Sequence, residues 1–286
     1  MHRAILDGVV LRKHSRPGNR LSRLKELKHA NDMLMQNYRS NTVRVNYAIS
    51  ETQDVYLLRY FPVYTSLIEN VLISIEQRNS PLFDNSTSLQ VSLIGCGPCP
   101  EIVGFMRFLS NRKSDLRPVF HAFDLCNSDW RAKRKRVLNT IISDTKPQVH
   151  GYTFDLCKQN SSEKYQTIFK CSNMVVIQNC LNELDIGSID TVIENITNIL
   201  DYLPCNGRFV AIETINYPMI HMVLNHIQNH ARLNCDFKVE LEYAPTIRNI
   251  AEDSIRYTDY PLELTESQIK MKFQARYVRL SIIKIR

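Results

Sequence analysis

The sequence predicts an α/β chain: a mostly parallel sheet with helices on both faces, preceded by a helical extension. Three observations predict it. From Leu89 onward, short Val/Ile-rich runs alternate with longer helical stretches, the pattern of parallel strands joined by crossovers. Before that point the apolar residues recur at helical spacing instead. At 286 residues the chain is also long enough to bury a substantial core, as one large domain or a domain with an extension.

The elements follow in order. From Met1 to about Lys28 the chain is basic, with Arg3, Arg12, Lys13, Arg16, Arg20, Arg23, Lys25 and Lys28 set against Asp7 and Glu26. Pro17-Gly18 marks a break, and Leu21, Leu24, Leu27 and Met35 continue at helical spacing. A solvated helix packed on a larger body accounts for this segment; an arm that touches phosphates, or part of a substrate lid, is the functional alternative. Asp54–Arg78 is again helical, with Asp54 placed to cap its start and Pro62 to kink or split it. Tyr56, Tyr60, Phe61 and Tyr64 read as core, unless one side opens to a cleft.

Strands are expected at Leu89–Ile94, Val119–Phe123, Gln148–Phe154, Asn173–Gln178 and Arg208–Glu213. Helices are expected near Pro100–Asn111, Asp129–Ser143, Ser161–Lys170 and Ser188–Leu203, then at Tyr217–Ala231. Strand-like runs at Phe237–Tyr243 and Phe273–Ile285 close the chain, with polar, irregular Ala244–Lys272 between them as a flap. The boundary falls near residue 84: a basic arm and helical extension over 1–84, and the α/β domain over 85–286.

Composition narrows the class. No apolar run approaches the length that crosses a bilayer, and the first residues lack a secretory h-region and cleavage site. Eight cysteines without such a signal point to free thiols in a reducing, cytoplasmic setting, although the Arg-rich start leaves organelle import open. A net charge of +7 permits an acidic partner without requiring one.

The segment that carries chemistry is Val91-Ser-Leu-Ile-Gly-Cys-Gly-Pro-Cys-Pro-Glu-Ile-Val-Gly-Phe105. Cys96-Gly-Pro-Cys99 spells a redox dithiol, with Cys96 at a helix N-terminus where a thiolate is favoured. Yet the aromatic that precedes the first Cys in thioredoxins is here Gly95, and many further strand–helix units follow. Alternatively, Gly95 and Gly97 serve the backbone of a nucleotide-binding turn, adopting positive φ and letting a ligand approach the main chain. Acids at the next two strand ends favour the second reading. Val119-Phe-His-Ala-Phe-Asp124 ends in a carboxylate suited to a ribose diol, and Gly151-Tyr-Thr-Phe-Asp155 ends in one suited to an adenine amino group, with Leu156 supporting the ring. Each acid alone could instead cap the following helix.

Leu93-Ile-Gly-Cys-Gly-Pro98, Ala122-Phe-Asp124, Thr153-Phe-Asp155 and Val175-Val-Ile-Gln-Asn179 together resemble the first four motifs of class I S-adenosylmethionine-dependent methyltransferases, and Cys205-Asn-Gly-Arg-Phe-Val-Ala-Ile-Glu213 the turn and fifth strand that follow. The resemblance runs over roughly Leu89 to Arg286. It implies a Rossmann-like, seven-stranded sheet whose last strand enters antiparallel, S-adenosyl-L-methionine as cofactor, and methyl transfer as the activity. The family's roles carry over to Gly95 and Gly97, Asp124, and Asp155 with Leu156. Cys96, Leu125, Trp130 and Asn179 complete the candidate cofactor-binding residues, Trp130 being put on the adenine side by its place six residues beyond Asp124, with a stacking platform for nucleic-acid bases as the alternative. Two departures stand out: Ser92 and Ile94 where an acid often precedes the turn, and Cys99 where a further small Gly is common.

Methyl transfer needs an aligned nucleophile and, for some acceptors, a base. Asn179, Asn182 and Glu183, just past the fourth strand, are the candidates beside the methyl group; the alternative is that Asn182 caps the next element and Glu183 is solvated. The family's Asn/Asp-Pro-Pro-Tyr/Phe motif for amino groups of nucleic acids is missing here. Arg131-Ala-Lys-Arg-Lys-Arg136 and the arm at residues 12–28 nevertheless make RNA or another nucleic acid the first expectation for the acceptor, ahead of a small molecule. A methyltransferase-fold binding protein without turnover, within an RNA–protein assembly, is the runner-up, and a thiol oxidoreductase the third. Cys96, Cys126, Cys157 and Cys180 all follow strand ends, but no paired CxxC spacing supports a metal, so none is expected.

Overall fold

A computed structural model describes residues 1–12, 17–39, 43–79, 82–83, 88–142, 146–214, 217–247 and 275–286. Helix α1 (His2–Ile5) runs into a π-helical turn (Leu6–Val10), and α2 (Pro17–Arg39), α3 (Ser50–Arg59) and α4 (Phe61–Asn79) follow. The alternating part comprises β1 (Leu89–Ile94), α5 (Pro100–Asn111), β2 (Pro118–Asp124), α6 (Asn127–Ile141), β3 (Gln148–Thr153), α7 (Gln166–Cys171), β4 (Met174–Gln178), α8 (Ile189–Tyr202), β5 (Arg208–Thr214), α9 (Pro218–Leu233), β6 (Phe237–Ile247) and β7 (Ala275–Lys284).

The seven strands form one sheet in the order β3-β2-β1-β4-β5-β7-β6. Pairings from β3 through β5 are parallel, whereas β7 runs antiparallel to both β5 and β6. Strand order therefore reverses between β1 and β4, and a crevice at such a switch point is where open α/β sheets bind ligands.

Side chains alternate between two packed layers, as the period of a strand requires. Val91, Leu93, Val176, Val210 and Ile212 pack with α2 through α6, while Phe123, Val175, Ile177, Phe209 and Ala211 pack with α7, α8 and α9. In α8 the apolar stripe Val192, Ile196, Ile199 and Leu200 is fully buried. Each such side chain contributes about 1.5–3 kcal/mol relative to exposure.

The helical extension shares the first layer's core. Gly104 of α5 makes this possible: an added Cβ would collide with the Ile68 side chain and sit 2.6 Å from the Thr65 carbonyl oxygen of α4. Arg23 of α2 is buried and donates to Glu26 (2.8 Å), Glu51 (2.5 Å) and Asp54 (2.5 Å), and Lys133 of α6 also pairs with Asp54 at 2.5 Å. A guanidinium buried among carboxylates needs this pairing, since an isolated buried charge costs several kcal/mol, of order 3–5 when one partner is removed.

Three expectations are corrected. Asp54 does not cap a helix; α3 begins at Ser50, and Asp54 is instead the buried partner of Arg23 and Lys133. Leu21 is exposed, so the buried stripe of α2 runs through Leu24, Leu27 and Leu34. The strand expected to stop at Tyr243 continues to Ile247, past an irregularity after Ala244. The flap expected over Ala244–Lys272 otherwise lies outside the described residues. Pro62 does split its helix, with α3 ending at Arg59 and α4 starting at Phe61. At the second position of α4 its missing N–H leaves no helical bond unmade.

Candidate active site

β1 delivers its chain into a tight turn in which Gly95 and Gly97 both have positive φ, +63° and +48°. A Cβ on Gly95 would collide with Cys180 Sγ, and one on Gly97 would lie 3.3 Å from the Trp130 indole. Cys99 also adopts a left-handed conformation, φ +61°, at the position where a Gly would meet no penalty. The Gly95 N–H donates to Phe123 O at 2.8 Å, tying the turn to β2.

Asp124, at the end of β2, organises the turn through its side chain. Its Oδ2 accepts the Gly97 N–H at 2.7 Å and its Oδ1 the Cys126 N–H at 2.8 Å. Burial raises the Asp124 pKa above the ordinary aspartate value, while these two bonds act in the opposite sense. On the other side of the turn, Arg134 donates from Nε and Nη2 to Gly97 O at 2.9 and 2.7 Å. The basic run at Arg131–Arg136 is thus divided: Arg134 is buried against the turn, Lys133 pairs with Asp54, and Arg131 and Lys135 are exposed.

These residues wall a cavity of about 660 Å³ at the switch point between β1 and β4. Gly95, Gly97, Asp124, Leu125, Trp130, Asp155, Leu156, Asn179 and Glu183 all line it. Cys96 and Asn182 are not among its walls; both are buried behind it. Asp155 Oδ1 accepts the Cys157 N–H at 2.9 Å, so each strand-end acid also braces the backbone that follows it.

Beyond β4, Asn179 takes a positive φ of +51° and donates its N–H to Ile212 O. Its side chain is buried, with neither Oδ1 nor Nδ2 partnered among the described residues. An amide left so inside a ligand-sized cavity is a group waiting for a partner. The Asn182 side chain lies close to the Tyr217 hydroxyl, which itself donates to Tyr38 O at 2.9 Å.

Glu183 is half-buried at the cavity wall rather than freely solvated. Its Oε1 accepts the hydroxyls of Tyr38 at 2.5 Å and Tyr47 at 2.9 Å, and burial lifts its pKa to about 7 despite those bonds. Sequence reasoning missed both tyrosines and also Glu213, at the end of β5. Glu213 Oε1 accepts the N–H groups of Cys180 and Leu181 at 2.9 and 3.0 Å, its Oε2 has no partner among the described residues, and burial raises its pKa to about 8. Of the four aromatics read as core, Tyr60, Phe61 and Tyr64 are buried in it, whereas Tyr56 lines the cavity together with Tyr47 and Trp130.

Cys96 and Cys99 are buried with Sγ atoms 3.4 Å apart, and burial pushes the Cys96 thiol far up, away from thiolate. Among the described residues no group of three or more His, Cys, Asp or Glu side chains is placed to hold a metal, and no helix is long and apolar enough to cross a membrane.

No family model matches the sequence, and no curated protein does. Solved structures do match. The CurJ carbon methyltransferase aligns at TM-score 0.50 and 11% identity, over 91% of this chain and 68% of its own. A Listeria monocytogenes protein assigned as a class I S-adenosylmethionine-dependent methyltransferase aligns at TM-score 0.50 and 9% identity, over 100% of this chain and 87% of its own. A Haemonchus contortus phosphoethanolamine N-methyltransferase scores lower, 0.41, and this chain spans 61% of its length. The fold is that of the class I S-adenosylmethionine-dependent methyltransferases.

Proposed function

We propose that the protein is an S-adenosylmethionine-dependent methyltransferase acting on a small molecule. One observation carries this reading: a glycine turn, two strand-end carboxylates and the unpartnered amide of Asn179 converge on a single cavity at the β1/β4 switch point. The cofactor fits the residues present. The Gly95–Gly97 turn leaves its backbone open to the methionine portion, Asp124 offers its remaining lone pairs to the ribose diol, and Asp155 with Leu156 flanks the adenine. Asn179 supplies both a donor and an acceptor to the methionine end or to the acceptor.

When bound, S-adenosylmethionine would supply an electrophilic methyl group. The chain's own part is to align the acceptor, exclude water and take up a proton where the acceptor carries one. Glu183, held by two tyrosine hydroxyls and titrating near neutrality, is the group suited to that proton. Asn182 acts at one remove, positioning the Leu181–Glu183 turn through Tyr217.

The small-molecule acceptor replaces the nucleic acid favoured on charge alone. Lys133 and Arg134 are engaged inside the protein, and Arg23 of the basic arm is buried among three carboxylates. We assign the wall formed by Tyr47, Tyr56 and Trp130 to the acceptor, which moves Trp130 away from the adenine side expected of it; the contact of its ring with Tyr47 and Tyr56 supports the change. We divide the chain near residue 84, with 1–84 as the cover over the acceptor side and 85–286 as the cofactor-binding domain, the two sharing one core.

Calorimetry with S-adenosylhomocysteine tests the first half: micromolar binding is expected. Incubation with methyl-labelled S-adenosylmethionine and a metabolite extract tests the second, and label transferred only to macromolecules would reject a small acceptor.

A further inference from the structure

Three aromatic rings meet at the cavity wall beside a carboxylate. Tyr47 and Trp130 have centroids 5.5 Å apart, Tyr56 and Trp130 5.7 Å, and Tyr47 and Tyr56 5.7 Å at an interplanar angle of 87°. All three line the cavity, as does Glu183, whose Oε1 accepts the Tyr47 hydroxyl. Aromatic rings beside a carboxylate on one cavity wall are the groups that recognise a quaternary or protonated amine, which takes ring π-density and a counter-charge. The cavity's charge agrees. In a chain of net charge +7, its described walls carry Asp124, Asp155, Glu183 and Asp185 against Arg44 alone among Lys and Arg. Asp124 and Asp155 are assigned to the ribose and adenine, which leaves Glu183 and Asp185, and of these Glu183 is the one bonded to the aromatic group, through the Tyr47 hydroxyl.

Building on the methyltransferase reading, we propose that the acceptor is a small amine, held as its ammonium by Glu183 and the rings of Tyr47, Tyr56 and Trp130, and methylated on nitrogen. The step balances. An ammonium R–NH3+ gives one proton to the Glu183 carboxylate and thereby frees the nitrogen lone pair. That pair forms the N–CH3 bond while the S–CH3 bond breaks with its electrons left on sulfur. The products are R–NH2+–CH3, S-adenosylhomocysteine and a protonated Glu183, which returns its proton to solvent as product leaves. Burial, which holds the Glu183 carboxyl near neutrality, suits it to take a proton from an amine already weakened by desolvation.

The test uses the full chain saturated with S-adenosylhomocysteine and three calorimetric probes: tetramethylammonium, choline, and 3,3-dimethylbutan-1-ol as the neutral isostere of choline. Choline is expected to bind at least about tenfold more tightly than the neutral isostere. Glu183→Gln and, independently, Tyr56→Leu should each lower choline affinity about tenfold while leaving S-adenosylhomocysteine affinity within about threefold. Equal affinity for choline and its isostere, or no binding of either cation to the loaded protein, overturns the proposal. So does methylation found only on carbon or oxygen in a panel of small acceptors. Failure of S-adenosylhomocysteine to bind is a separate result that rejects the underlying methyltransferase reading, and titrating the unloaded protein with choline then still tests the cage.

Discussion

Arg134 grips the carbonyl oxygen of Gly97 with two N–H groups, at 2.9 and 2.7 Å, while Asp124 holds the N–H of the same residue at 2.7 Å. Gly97 is thus fixed from both ends of its own backbone by opposite charges. Arg134→Leu should remove about 1.5–3 kcal/mol of charge-assisted hydrogen bonding. It should also loosen the turn, so that S-adenosylhomocysteine binds about tenfold or more weakly, and Arg134→Lys should recover part of the loss. Thermal denaturation and calorimetry read the two effects; unchanged cofactor affinity in Arg134→Leu would show that the turn is held by the rest of the fold.

Asp124 carries two duties, so its substitution must separate them. Asp124→Asn keeps an oxygen for one of the two backbone N–H groups but withdraws the charge proposed to meet the ribose diol. Affinity for S-adenosylhomocysteine should drop about 10- to 100-fold, with a smaller loss of stability than Asp124→Ala. A folded Asp124→Asn protein that binds as tightly as the parent would reject the ribose assignment.

The division between what the sequence tells and what it hides follows from range. Strands β1, β4 and β5 announce themselves as short Val/Ile-containing apolar runs, β2 and β3 by their place in the strand–helix alternation, and Asp124 and Asp155 are visible because a strand end places them at one edge of the sheet. Arg134 is hidden by its neighbours: within Arg131–Arg136 nothing local says that this guanidinium turns inward. Tyr38 and Tyr47 lie 145 and 136 residues from Glu183, so their convergence on it is a product of tertiary packing alone. Glu213 reads as the last residue of a strand, and its role emerges only where β5 passes beneath the Cys180–Leu181 backbone.

Gly104 tests whether the extension is integral to the fold. A methyl group there would press on the Ile68 side chain and the Thr65 carbonyl, and a backbone carbonyl cannot swing aside as a side-chain tip can. Gly104→Ala should destabilise the protein by about 1–3 kcal/mol through overpacking, outweighing the gain in helix propensity of about 1 kcal/mol. A higher melting temperature for Gly104→Ala would mean that α4 shifts freely on α5.

The Cys96–Cys99 pair makes a contrary prediction possible. If its turn serves only the backbone, Cys99→Ser should leave S-adenosylhomocysteine binding within about threefold and preserve most turnover, at a stability cost of about 1–3 kcal/mol for a buried hydroxyl. Complete loss of function, rescued only by a thiol at position 99, would restore the redox reading despite the burial of both sulfurs.

Glu183 and Glu213 together should give the protein an unusual pH response. Burial raises their folded-state pKa values to about 7 and about 8, above the unfolded value near 4.3. The folded state therefore holds protons that the unfolded state has already released. The stability associated with these protons is complete below about pH 4.3 and is lost as pH rises through about 7 and 8. The melting temperature should accordingly decline between about pH 5 and 8.5, and Glu213→Gln should flatten much of that slope. The rate should move the other way: if Glu183 takes the acceptor's proton it must be ionised, so kcat/KM should climb through about pH 7. Glu183→Gln should abolish that inflection, whereas Glu213→Gln should leave one near the same pH. A melting temperature that rises with pH across this window would show that the two carboxyls are already ionised in the folded protein, and an inflection that survives Glu183→Gln would assign the proton to another group.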